Sequence, residues 1–137
     1  MAIKTKYRAM KEPADISGNP FCCAAALANI EFLSSAGQLA KMRVSSKAFE
    51  AEISATSVLP GVKQVNVRGL MAAFIFDTVG RVNAVVAECI RCGVLPVCTG
   101  KNSIKLAPPL VIHPVAIREA ASVIRAAILK CASVKFS

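Results

Sequence analysis

The stretch VNVRGLMAAFIFDTVGRVNAVVAECIRCG, residues 65–93, decides the fold class. Val65 and Val67 alternate with Asn66 and Arg68, the period of a half-buried strand. Leu70 to Asp77 is a mostly apolar run of strand length, suited to the centre of a sheet. The period then changes. Val82, Val85, Val86, Cys89 and Ile90 recur at helical spacing, and Gly93 supplies a helix stop.

Toward the N-terminus, Asn19-Pro20 predicts a helix start, because Asn caps free N–H groups and Pro is pre-set for the first turn. This helix should run from Pro20 to about Ser34. Its Ala-rich body, Cys22 to Ala28, has few bulky side chains, so another backbone could approach closely. Gly37 is expected to end it as a left-handed cap. Leu39, Met42, Ser46, Phe49 and Ile53 then form one stripe of a second helix ending near Ala55, with Lys41, Lys47, Glu50 and Glu52 off the stripe. Pro60-Gly61 reads as a turn before the strand pair.

Toward the C-terminus, Val94 to Cys98 reads as a short strand. A polar turn at Gly100 to Ser103 leads into another, Ile104 to Ala107, stopped by Pro108-Pro109. His113-Pro114 opens a last helix with Ile117, Ala121, Ile124 and Ile128 on one side and Arg118, Ser122 and Arg125 on another. The expected architecture is α+β, a small sheet of about four short strands covered by helices. Residues 1–18 read as an irregular lead-in and 19–137 as one domain, consistent with a chain of 137 residues.

Composition excludes several classes. The hydrophobic fraction is 55% and the mean hydropathy +0.54, yet the longest apolar runs, Phe21 to Ala28 and Leu70 to Phe76, fall far short of the roughly 20 residues that cross a bilayer. The start, MAIKTKYRAMKEP, lacks the apolar region and cleavage site of a secretory signal. A net charge of +9 suggests nucleic acid, but beyond Lys4, Lys6, Arg8 and Lys11 the cations are scattered, with no interleaved stacking aromatics. A solvated basic surface is the better reading.

The six cysteines read as reduced thiols of a cytoplasmic protein. Cys89-Ile90-Arg91-Cys92 has redox or half-zinc spacing, but no second pair lies at finger distance and His113 is the only histidine. Cys89 lies on an apolar stripe and is expected to be a buried small hydrophobe, as are Cys22, Cys23, Cys98 and Cys131. His113 fits a helix-capping position better than that of a catalytic base. Periodicity alone leaves the function open.

Three segments, in order, resemble class III (omega-type) aminotransferases. SGNPFCCAAALANIEFL at Ser17 to Leu33 is similar to the family's GNP turn and Ala-rich helix. VRGLMAAFIFD at Val67 to Asp77 resembles its VRG and GLM strand, with a shortened turn because Gly69 runs straight into Leu70. SIKLAPPLVIHPVAIREAASVIRAAI at Ser103 to Ile128 resembles its LAPPL segment and closing helix. The resemblance implies the C-terminal small domain of a fold-type I pyridoxal-phosphate transferase.

The implied cofactor is pyridoxal phosphate, carried as a Schiff base on a lysine and acting as an electron sink while an amino group moves between an amino acid or omega-amine and a 2-oxo acid. That lysine lies upstream of the GNP turn in the family, and no lysine here stands in its motif. Where the family's threonine binds the phosphate held by the neighbouring subunit, this chain has Asp15. A carboxylate at contact would repel the phosphate by about 1 to 4 kcal/mol; pointing into solvent, Asp15 would do nothing. Where the family's arginine receives the substrate carboxylate, this chain has Lys105, which keeps the charge and loses the bidentate fork. A surface lysine on a short strand is the alternative. The expectation is a domain that is inactive alone and completed by a large domain, or an interaction module that pairs with itself or with a full-length aminotransferase.

Overall fold

The computed structural model describes residues 18–132, which fall into two compact units divided after Ala36. The first contains helix α1, Pro20–Ser34. Asn19 caps it as expected: its Oδ1 accepts from the N–H groups of Phe21 and Cys22, and Pro20 occupies the first turn. The stop differs from the expected one. Ser35, in extended conformation, ends α1, and Gly37 lies inside the next helix without a positive φ. The cap is made by Ser35, whose N–H and hydroxyl both donate to the Phe32 carbonyl.

The second unit follows the order read from the sequence: α2 (Ala36–Ser54), β1 (Val62–Arg68), β2 (Met71–Phe76), α3 (Val79–Arg91), β3 (Val97–Cys98), β4 (Ser103–Leu106) and α4 (Pro114–Ala132). The four strands form one antiparallel sheet in the order β1-β2-β4-β3, so β2, the apolar run, is central. Arg68 pairs with Met71 across a two-residue turn in which Gly69 takes φ +60°, a conformation that glycine adopts without the Cβ penalty. The Gly69 N–H donates to Glu50 on α2, which pins the hairpin tip.

One face of the sheet carries the core. Ala72, Phe74, Phe76, Ile104 and Leu106 are buried against Phe49 and Ile53 of α2, Val82, Val85 and Cys89 of α3, and Ile117, Ala121, Ile124 and Ile128 of α4. The α3 and α4 stripes match the sequence reading. The α2 stripe is displaced: Gln38, Ser45, Phe49 and Ile53 are buried, whereas Leu39 is exposed and Ser46 half-buried. The polar Ser45 is tolerated because its hydroxyl donates to the Ile112 carbonyl at 2.7 Å. The strand expected over Val94 to Cys98 shrinks to two residues, since the Val94 N–H closes the end of α3 on Cys89 O and Pro96 has no N–H to donate.

Charged side chains tie the helices together. Glu88 on α3 accepts from Arg91 at 2.6 Å and from Lys130 of α4 at 3.0 Å. The hydrogen bond from Arg91, then that from Lys130, hold its carboxyl down at about 2. A carboxylate whose folded pKa is depressed stabilises the fold above its unfolded value and loses that contribution as pH falls toward the folded one. Stability should therefore decline as pH drops from about 4.5 to about 2, and Glu88→Gln should flatten this part of the profile. Acid titration of the thermal midpoint for both proteins checks it; identical slopes would refute the role of Glu88.

Candidate functional site

Alternation along β4 turns Ile104 and Leu106 inward and leaves Lys105 on the other face of the sheet. There Lys105 pairs across to Ala73 on β2 and to Val97 on β3, and Ala73 in turn opposes Asn66 on β1. This cross-strand row, with Gln64 and Arg68 of β1 in the flanking rows, presents two cations, two amides and no carboxylate. Lys105, Asn66, Gln64 and Arg68 are exposed, and the small Ala73 beside Lys105 leaves room around its ammonium. The arrangement can attract a carboxylate through a mobile point charge, without the planar fork of an arginine. Asp15, the other candidate, lies outside the described residues.

On the helix-covered side, α2 and α4 part to leave a groove of about 380 Å³ above Leu106. Phe49 and Ile53 form one wall, Ile117, Ala121 and Ile124 the other, and Pro108-Pro109 the rim. The sequence reading missed it, because a gap between two helices depends on how far apart they pack. The groove does not fit pyridoxal phosphate. No lysine, arginine, histidine or hydroxyl side chain lines it, whereas a phosphate dianion needs cations or N–H donors. Lys105 is on the opposite face of the sheet from this groove.

The cysteine readings divide. Cys89 and Cys131 are buried, and burial first of all pushes the Cys89 thiol up to about 11 and raises that of Cys131. Both stay protonated at neutral pH and are poor nucleophiles. Cys22, Cys23 and Cys98, expected inside, are exposed, as is Cys92. Cys22 and Cys23 sit on a helix that buries no residue, and Cys98 lies on a two-residue edge strand. No group of three potential ligands that could hold a metal occurs among the described residues. Neutral iodoacetamide should thus label Cys22, Cys23, Cys92 and Cys98 and spare Cys89 and Cys131 until unfolding; peptide mapping reads this, and early labelling of Cys89 would refute its burial. His113 is a cap: its Nδ1 accepts from Val115 N–H at 3.3 Å and its carbonyl accepts from Ile117.

An antiparallel sheet with the LAPPL segment leaving β4 just after Lys105, and a closing helix over its inner face, is the pattern expected of a transaminase small domain. The sequence profile described as "Aminotransferase class-III" matches residues 11–128. The chain belongs to the class III aminotransferase family. Among solved structures, it is similar to a transaminase from directed evolution by ancestral reconstruction, at 24% identity and TM-score 0.77, over 94% of this chain and 31% of that one. The adenosylmethionine-8-amino-7-oxononanoate aminotransferase of Methanocaldococcus jannaschii matches at 24% identity and TM-score 0.72, over 82% of this chain and 28% of that one. The lysine aminotransferase of M. tuberculosis matches at 20% identity and TM-score 0.67, over 74% and 24%. At such identities the likeness establishes the fold, and the chain spans about a third or less of each of these proteins. No curated protein sequence matches the chain.

Proposed function

We propose that residues 19–137 serve as the small domain of a class III aminotransferase, a part that does not transfer amino groups on its own. The observation that supports this reading is the family match over residues 11–128, together with transaminase structural neighbours of the same fold. The cofactor is pyridoxal phosphate, held chiefly by a large domain. Lys105 is the group of this chain that draws in the carboxylate of the amino acid or 2-oxo acid. Four exposed thiols fit a reducing, cytoplasmic compartment.

The experiment is reconstitution. The chain is mixed with pyridoxal phosphate and a panel of amino donors and 2-oxo acids, with and without a class III large domain lacking its own small domain. Turnover is expected only when both parts are present. In the active mixture Lys105→Glu should raise KM for the acid substrate by about tenfold or more, since one charge contact is replaced by a repulsion. Turnover by the chain without the large domain would overturn the proposal.

A second reading, a non-catalytic interaction module, is favoured by α1. None of its residues is buried, and Phe21, Leu27, Ile30 and Phe32 are each more than half exposed.

A further inference from the structure

The C-terminal turn of α3 holds the Cys89-Ile90-Arg91-Cys92 motif, which amino-group transfer does not use. Its two thiols differ in access: Cys92 is exposed, whereas Cys89 is fully buried. Side chains on a helix lean toward its N-terminus, so Cys92 lies back over the preceding turn. The contact of its Sγ with Glu88 Oε1 at 3.9 Å shows this lean. Cys89 sits on that same turn. After burial, the nearness of Cys92 is the next influence that pushes the Cys89 thiol up to about 11, followed by that of Cys131.

The backbone brings the pair within bonding range. Residues three apart in a helix have Cα atoms about 5 Å apart, inside the roughly 4.4 to 6.8 Å that disulfides span. Their Cβ atoms, about 5 to 6 Å apart, must approach by about 1 to 2 Å. Cys92 is the C-cap, at φ −98° and ψ 12°, and Gly93 follows at φ +85°, so the adjustment falls at the end of the helix rather than within it.

We propose that Cys89 and Cys92 form a reversible disulfide driven by hydroperoxides, in which exposed Cys92 is oxidised first and buried Cys89 resolves it. The Cys92 sulfur attacks one oxygen of the hydroperoxide; the O–O bond breaks, an alcohol or water leaves, and Cys92 becomes a sulfenic acid. Cys89 then attacks the Cys92 sulfur, the S–O bond breaks, and the Cys89 proton leaves with the hydroxide as water. Two thiols lose two electrons and the peroxide gains them. Cys89 is a poor nucleophile toward dissolved reagents, but a sulfur held one turn away acts at high effective concentration. Cys131, the third thiol nearby, is buried and offers a peroxide no entry. A disulfide closed against helix geometry is strained, which makes it easily reduced.

The test treats the full chain, reduced and freed of reductant, with a slight excess of hydrogen peroxide at neutral pH, then blocks free thiols with iodoacetamide in urea. Trypsin cuts after Arg91, so the two sulfurs fall on separate peptides, 82–91 and 92–101, and fragmentation tells Cys92 from Cys98. The expected product is Cys89 bonded to Cys92, returned to two thiols by glutathione. Cys92→Ser, a change at an exposed site, should slow the oxidation of Cys89 by about tenfold or more. Cys89→Ala should leave Cys92 as a sulfenic acid that dimedone traps. Circular dichroism checks both variants, and Cys92→Ser decides the matter alone if the core change unfolds the chain. Cys89 left as a thiol while Cys92 oxidises, Cys89 bonded to Cys98 or Cys131 instead, equally fast oxidation of Cys89 in Cys92→Ser, or a bond that glutathione does not reverse would each overturn the proposal.

Discussion

Phe74→Ala is expected to remove about 3 to 5 kcal/mol of stability, the usual cost of emptying a buried aromatic site. Phe74 is fully buried at the centre of β2, opposite Val65 on β1 and Ile104 on β4, with its ring stacked on Phe76 at a centroid distance of 6.2 Å. Helices α3 and α4 rest on this layer, so the void cannot close without moving them. A domain of this size has only about 5 to 15 kcal/mol in total, and a fall in Tm of roughly 15 °C or more should follow. Met71→Ala is the control: Met71 shares the strand but is half exposed on the other face, and should change stability by about 0.5 kcal/mol or less. Urea denaturation of both variants measures the difference, and similar midpoints would show that β2 does not carry the core.

The second large effect is expected at Arg81, in the first turn of α3. Its Nε donates to Asp77 at 2.8 Å and its Nη1 to the carbonyl of Cys131 at 2.8 Å, joining the end of β2 to the last turn of α4. The guanidinium is nearly buried, and Arg81 holds the Asp77 carboxyl below its ordinary range, chiefly through that hydrogen bond. Gly61 allows the approach. It takes φ +80°, and a Cβ there would strike Nε, Cδ and Cζ of Arg81. Arg81→Leu should cost about 2 to 4 kcal/mol, because it strips a buried carbonyl of its donor and a partly buried carboxylate of its partner. Gly61→Ala should cost about 1 to 2 kcal/mol from the left-handed backbone alone, before the displacement of Arg81. The pair should be less than additive in a double-mutant cycle, since both changes break one clasp. Full additivity would mean that the two residues act separately.

Much of this was legible in the chain. Period two over 65–68, an apolar run over 70–77 and period 3.6 beyond it fix strand, strand and helix because each pattern buries one face of its element. Asn19, Gly93 and His113 mark ends through local chemistry that needs no tertiary partner. The failures have a common cause. Gly37 is a stop signal, but Ser35 turns the chain first and a new helix begins at once. Cys22 and Cys23 look internal by composition, yet burial requires a covering surface, which composition does not provide. The displaced stripe of α2 depends on a Ser45 hydroxyl reaching a carbonyl 67 residues away.

For the site, the resemblance in the three ordered motifs implies Lys105 at the family's carboxylate position, which is a proposal here, and strand alternation places that residue on the face away from the core. The ion pair of Asp77 and Arg81 was not read from the sequence, and the link from Arg81 to Cys131 joins residues fifty positions apart and is invisible in a linear pattern. The apolar groove between α2 and α4 is likewise a product of packing.

The most direct test of the proposal that residues 19–137 act as a class III small domain and do not themselves hold the cofactor's Schiff base is borohydride reduction in the presence of pyridoxal phosphate, followed by mass mapping of the lysines. The account predicts sparse labelling spread over exposed lysines, rising with cofactor concentration and unaffected by amino donors. Stoichiometric labelling of a single lysine, abolished by prior addition of an amino donor, would contradict it.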